Sequence, residues 1–185
     1  ALGAVRAQSE AGGELTPPGA STDAPVVIDT NLVLDRLLFA DPGVRALHQA
    51  LQAGALRWLA TDAMRGELAR VLGYPRLRPR LAPPGPAAED VLTAFDRLAL
   101  RVPAAAPAPV RCADPDDQAF IDLACAQGAL LLSKDAQVLG VARQMARLGL
   151  RVARNWPPEP AFQANSALCP RAQSATSNPS YSSAR

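Results

Sequence analysis

Four acidic residues stand where side chains of their type can do chemistry together. Asp29 follows the apolar run of PVVIDTN, Glu67 lies inside TDAMRGELARVLG, Asp117 opens the apolar part of DPDDQAFIDLACAQG, and Asp135 closes ALLLSKD. Two carboxylates about 4 Å apart repel by about 4 kcal/mol at an effective dielectric of 20, so a gathered set needs a cation or protonation. Oxygen donors without histidine suit Mg²⁺ or Mn²⁺. Such ions hold phosphate oxygens and activate water for in-line attack, which points to phosphodiester hydrolysis.

The elements that would position these acids can be read from periodicity. Short apolar runs at Pro25 to Ile28, Arg57 to Ala60, Leu100 to Val102, Ala129 to Leu132 and Leu150 to Ala153 alternate with longer segments of helical period. Parallel strands need a helix to cross back, so this alternation predicts an α/β domain with five parallel strands. Asp41-Pro42 and Asp114-Pro115 each read as an N-cap followed by a proline at the first helical position, and Thr61 as the cap of a helix over 62–72. Gly54, Gly73, Gly128 and Gly149 fall where helices should stop. AQVLGVARQMARLG reads as a single helix. If the strands are parallel, Asp29, Glu67, Asp117 and Asp135 converge on one edge of the sheet, where open α/β folds bind ligands.

Each acid also has a plainer account. Asp29 or Asn31 can cap the helix NLVLDRLLF, and Asp135 can cap the next one. Glu67 shares a stripe with Met64, Leu68, Val71 and Leu72, so it points toward the buried side, where Arg65, Arg70 or another arginine at the edge of the stripe could neutralise it. Acids in a first turn compensate the helix dipole, which accounts for Asp114 well and for Asp117 only in part. Asp117 precedes Phe120, Ile121 and Ala124 at inward-facing spacing, Asp116 points aside, and Asp122 reads as part of a solvated face.

Composition narrows the class. The 185 residues are 49% hydrophobic and carry 19 Lys+Arg against 17 Asp+Glu, a balance too even to mark the whole molecule as a polyanion binder. Cys112, Cys125 and Cys169 are odd in number and widely separated, and His48 is the only histidine, so a disulfide scaffold and a Cys/His zinc site are both disfavoured. No apolar run reaches the roughly 18 residues of a membrane span, and ALGAVRAQSEAGGELTPPGA lacks the apolar block of an export signal. A cytoplasmic location is expected. Segments 1–24 and 157–185 mix Gly, Pro, Ser and charges without periodicity and are expected to be disordered tails around a domain at 25–156. The Pro/Ala segments 82–88 and 103–109 read as loops.

DTN after the first strand, a helical Glu, DPDDQAFIDLA, and SKD after an apolar strand together resemble the PIN domain, particularly the toxin components of toxin–antitoxin systems. The resemblance spans about 25–156. It implies a Rossmann-like three-layer sandwich with sheet order 3-2-1-4-5 and a Mg²⁺- or Mn²⁺-dependent ribonuclease acting on single-stranded RNA. By the same resemblance Asp29 is the first metal ligand, Glu67 the second acid, Asp117 the third and Asp135 the fourth, with Asp29, Asp117 and Asp135 holding the ion. Asn31 would orient a carboxylate or water, and Ser133 would hydrogen-bond Asp29 or the water on the metal. Asp114 is a supporting acid, and Asp117 is preferred for the third place because D-x-x-F-I-x-x-A follows it. An antitoxin partner and a homodimer are further implications.

The stretch YPRLRPR, read as a loop, offers Arg76, Arg78 and Arg80 with the ring of Tyr74 to an RNA backbone, unless it is only solvated. Arg36 and Arg65 are further basic candidates near the acids. Two competing functions remain: a non-catalytic RNA-binding or protein-interaction module on the same fold, and another acid-cluster α/β enzyme. A phosphatase would carry D-x-D after its first strand, where this chain has Asp29-Thr30-Asn31. A phospho-receiver would want an acid pair there and a lone Asp after the third strand, and neither is present.

Overall fold

The computed structural model describes residues 23–158. The expected tails fall outside the described residues, apart from 23–24 and 157–158. At the first of these edges the packed unit begins slightly early: Ala24 already belongs to the first strand, and Asp23 accepts from Arg57 Nη1 at 2.6 Å.

Five strands form one sheet: β1 (Ala24–Ile28), β2 (Leu56–Ala60), β3 (Ala99–Arg101), β4 (Leu130–Leu132) and β5 (Val152–Ala153). Their order is β3-β2-β1-β4-β5 and every pairing is parallel, the doubly wound arrangement expected from the alternating pattern. The order turns at β1, which pairs with β2 on one side and β4 on the other. Crevices at such switch points are the usual ligand sites of open parallel sheets. The apolar runs locate each strand within one residue, except that β5 starts two residues late.

Eight helices connect them: α1 (Thr30–Leu37), α2 (Arg45–Gln52), α3 (Asp62–Leu72), α4 (Arg78–Leu81), α5 (Ala88–Leu98), α6 (Gln118–Gln127), α7 (Ala136–Gly140) and α8 (Ala142–Arg147). Val26, Val27, Leu131 and Leu132 are fully enclosed at the sheet's centre. Trp58 of β2 meets Phe95 of α5 edge to face, with ring centroids 4.8 Å apart. Burial of these side chains at about 1.5–3 kcal/mol each is what offsets the ordering of the chain. Thr61 caps α3 as its sequence predicts: Oγ1 accepts from the Met64 amide, and the Met64 sulfur accepts in return from the Thr61 amide. Gly128 ends α6 at φ 60°, a conformation that carries a steric cost for other residues.

Three local expectations need correction. α6 starts at Gln118, not Pro115: Asp114 Oδ1 accepts from the Asp116 amide at 3.0 Å, so Asp114 caps a turn that leads into the helix. The segment after β4 is two short helices, because the Val141 amide reaches back only to Val138 O and interrupts the α-helical ladder. Val138, Val141 and Met145 are buried across the break, on the face that the i, i+3, i+7 spacing predicts. YPRLRPR is a 3-10 turn at Pro75–Leu77 followed by α4, since Pro75 and Pro79 both set helical φ and Leu77 anchors the turn in the core.

Candidate metal centre

β1 delivers Asp29. Its amide donates to Leu132 O at 2.9 Å, extending the β1–β4 pairing one residue past the strand. Asp29 is only 2% exposed and stands at the N-cap position of α1, yet its side chain makes no cap hydrogen bond. Instead Oδ2 accepts from Ser133 Oγ at 2.6 Å. Ser133 is itself fully buried and accepts from the Asp135 amide at 2.9 Å, so the turn after β4 is tied to the end of β1. Burial pushes the Asp29 carboxyl above its ordinary value. The Ser133 hydroxyl and the Asn31 amide oppose this, and Asp135 adds to it.

α3 delivers Glu67. The buried stripe Met64, Leu68, Val71 and Leu72 fixes the rotation of the helix and leaves Glu67 half-buried beside α1. Its Oε1 accepts from Thr30 Oγ1 at 3.2 Å. Neither arginine considered for it is available: Arg65 grips Asp96 through Nε and Nη2 at 2.8–3.0 Å, and Arg70 lies 3.9 Å from Asp116 and donates to the Tyr74 hydroxyl. Burial raises the Glu67 carboxyl, the Thr30 hydroxyl opposes, and Asp29 adds repulsion.

Asp117 sits at the mouth of α6. Its carboxyl is pushed up to about 7 by burial first, then by the charges of Asp29, Asp135, Asp114 and Glu67. The charges of the three other predicted acids, and of the supporting one, all contribute to that rise. Asp135 caps α7, its Oδ1 accepting from the Gln137 amide at 2.7 Å. Among the described residues, none of the four predicted catalytic acids forms an ion pair.

Two shallow depressions flank this rim. One of about 290 Å³ is lined by Ala63, Gly66, Glu67, Arg70 and Asp116, and another of about 260 Å³ by Ala113, Asp114, Pro115 and Gln137. The DPDD turn contributes a wall to each. An open, shallow approach on both sides of a carboxylate rim suits a chain-like substrate better than an engulfed small molecule.

The PIN domain family matches residues 25–139, a span that contains all four acids. The chain belongs to the PIN domain family. PIN domains are in general metal-dependent nucleases. A search of curated proteins finds no significant match.

A divalent ion fits this PIN domain in donor chemistry, since the rim offers hard carboxylate oxygens and uncompensated negative charge. Closure is less complete: among the described residues no three acidic, His or Cys side chains are drawn together tightly enough to enclose an ion. Three of the four acids hold hydrogen bonds elsewhere, Asp29 with Ser133, Glu67 with Thr30 and Asp135 with the α7 amide.

The remaining residues fall out as follows. Asn31 is exposed, makes no side-chain hydrogen bond among the described residues, and faces Asp29 through its amide. Thr30, one position earlier, is the residue that touches an acid, and its place between Asp29 and Asn31 was the available signal. Arg76, Arg78 and Arg80 are exposed, with Arg76 5.3 Å over the Tyr74 ring, so that ring already has a cation on its face. Arg65 is committed to Asp96, and Arg36 is buried beside His48 in a separate cavity. Asp122 is not part of a solvated face. It accepts from the Ala108 amide and from Gln118 Nε2, pinning the 103–109 loop. Lys134, the only lysine, bridges Asp35 at 2.7 Å and Asp41 at 3.3 Å. Cys112 and Cys125 are free thiols, and Cys169 lies outside the described residues.

Proposed function

We propose that this PIN domain is an endoribonuclease that cuts single-stranded RNA with Mg²⁺ or Mn²⁺. The observation that carries this reading is the unpaired acid rim: Ser133 ties Asp29 to the turn that carries Asp135, Thr30 holds Glu67 beside Asp29, and among the described residues no arginine or lysine forms an ion pair with these acids or with Asp117. Asp29, Asp117 and Asp135 would hold the ion. When bound, it neutralises the rim and polarises a phosphodiester for attack by water.

The chain's own groups set the geometry. Ser133 fixes the Asp29 carboxylate by hydrogen bond and, through the Asp135 amide, fixes the start of α7 relative to it. Thr30 orients Glu67. Arg70 lines the larger depression with Glu67 and forms no ion pair with it, although its charge lowers the Glu67 carboxyl; there it would meet a backbone phosphate. Arg76, Arg78 and Arg80 extend the positive track beyond α3.

Incubation of the purified chain with an unstructured, end-labelled RNA tests this directly. Cleavage that depends on Mn²⁺ or Mg²⁺ and stops in EDTA is expected. RNA retention without cutting in either ion would instead establish the non-catalytic binding module, which the incomplete closure of the acids favours. The toxin role, with an antitoxin covering the rim, is part of the same proposal: induced expression should arrest growth, and Asp117→Asn should relieve the arrest. Homodimerisation and a cytoplasmic location belong to it as well. Among the described residues no helix is long and apolar enough to cross a membrane.

A further inference from the structure

A second cavity, of about 220 Å³, lies between the end of α1 and the start of α2, and its polar lining is Arg36, Asp41, Arg45 and His48. Arg36 is 9% exposed, and its Nε and Nη2 are buried without a hydrogen-bond partner. An unpartnered buried guanidinium is costly, and charged groups are seldom enclosed without a counter-charge. The acid in the lining does not supply one: Asp41 accepts from the Gly43 amide at 2.7 Å and from Lys134 Nζ at 3.3 Å. Asp35, next to Arg36 in sequence, is likewise held by Lys134. The cavity therefore presents two guanidiniums and an imidazole against one carboxylate that is already satisfied. Burial first, and the Arg36 charge second, lower the His48 imidazole.

We propose that this cavity is a phosphate subsite, taking a backbone or terminal phosphate of the RNA strand away from the acid rim. The RNA identity rests on the function proposed above. A planar guanidinium edge matches the oxygens of an oxyanion, and the cavity has room for a tetrahedral phosphate with part of its hydration. Two contacts connect it to the rest of the strand's path. Lys134, which holds the Asp41 wall, directly follows the Ser133 that bonds Asp29. Arg80 stands 5.8 Å over Phe39, the neighbour of lining residue Ala40, so the basic segment around α4 leads to the cavity.

His48 is the only histidine of the chain, so its imidazole is a single reporter of occupancy. Nitrogen-detected NMR of the ring in the full chain, in EDTA at constant pH and ionic strength, should show saturable shifts with inorganic phosphate and with a short unstructured RNA. Arg45 is exposed, so Arg45→Gln leaves the core intact and should weaken both responses about fivefold. Arg36→Lys keeps the charge but removes the planar fork and should weaken them about tenfold. An unmoved ring with both probes overturns the proposal. So does a response to inorganic phosphate but not to RNA, or a response only to an acidic peptide, which would make the cavity a protein contact. The readout needs no metal and no turnover: shifts with RNA in a chain that never cuts would overturn the nuclease reading alone, and cutting with an unmoved ring would overturn only the subsite.

Discussion

Acidic side chains gather twice at the carboxyl edge of this sheet, with opposite consequences. On the β2–β3 side Asp62 and Asp96 are matched by arginines: Arg65 and Arg101 both bind Asp96, and Arg101 also binds Asp62. The Asp96 carboxyl is held down to about 2 by those hydrogen bonds and charges. At the β1–β4 switch point the acids have no such partners, and Asp117 is pushed up to about 7. The number of carboxylates is therefore a poor guide to a site. What separates the two groups is that one is neutralised by arginines of the same chain, and the other forms no ion pair among the described residues.

The comparison can be broken most forcefully at the unpaired rim. Asp29→Asn and Asp117→Asn should each lower RNA cleavage at least about a hundredfold while the domain still melts cooperatively. Asp96→Asn should do the reverse, leaving cleavage intact while lowering Tm by a few degrees, about what loss of a partly exposed ion-pair network costs. If Asp96→Asn abolishes cleavage and Asp117→Asn does not, the two groups have been assigned the wrong way round.

Changing Arg76, Arg78 and Arg80 together to Gln should weaken RNA binding and reduce its logarithmic salt slope by about two. Filter binding across a salt series measures this, and an unchanged slope would return the segment to a solvated surface. The pH dependence of stability gives a finer contrast. Because folding raises the Asp117 pKa, its contribution is fully present below its ordinary value of 3.8 and is lost as pH rises through about 7. Asp96 has the opposite sign: its contribution is present above 3.8 and lost as pH falls toward about 2. Melting in EDTA should therefore decline with rising pH over the upper window in the native chain and decline less in Asp117→Asn. Mn²⁺ should remove most of that decline. The smallest expected effect is at Gly66 in the middle of α3, where an added Cβ meets nothing within 4 Å. Gly66→Ala should stabilise the chain by about 0.5–1 kcal/mol in a denaturant titration.

Much of this was legible in the sequence because it is written at short range. Period-two and period-3.6 patterns located the strands and most helices, and strand ends followed by Asp29 and Asp135 placed those acids at the switch point. The inward stripe of α3 left Glu67 half-buried beside Thr30, and the spacing of Asp117 to Phe120, Ile121 and Ala124 set it at the head of α6. What escaped was pairing over long separations. Arg65 looked free for RNA until α5 brought Asp96 to it from 31 positions away, and Lys134 reached Asp35 across 99. The Asp114-Pro115 signal was genuine but capped a turn three residues early, since a side-chain cap on a turn and one on a helix use the same residues. Arg36 was noted for its nearness in sequence to Asp29. Only packing shows that it faces a cavity of its own.

The central claim is that the unpaired rim, and not the paired one, receives a divalent cation. A crystal soaked in Mn²⁺ and measured near the manganese absorption edge tests it most directly. An anomalous peak bounded by Asp29, Asp117 and Asp135, with Glu67 facing it, is expected. An empty rim at saturating Mn²⁺, or a peak held instead by Asp62 and Asp96, would contradict it.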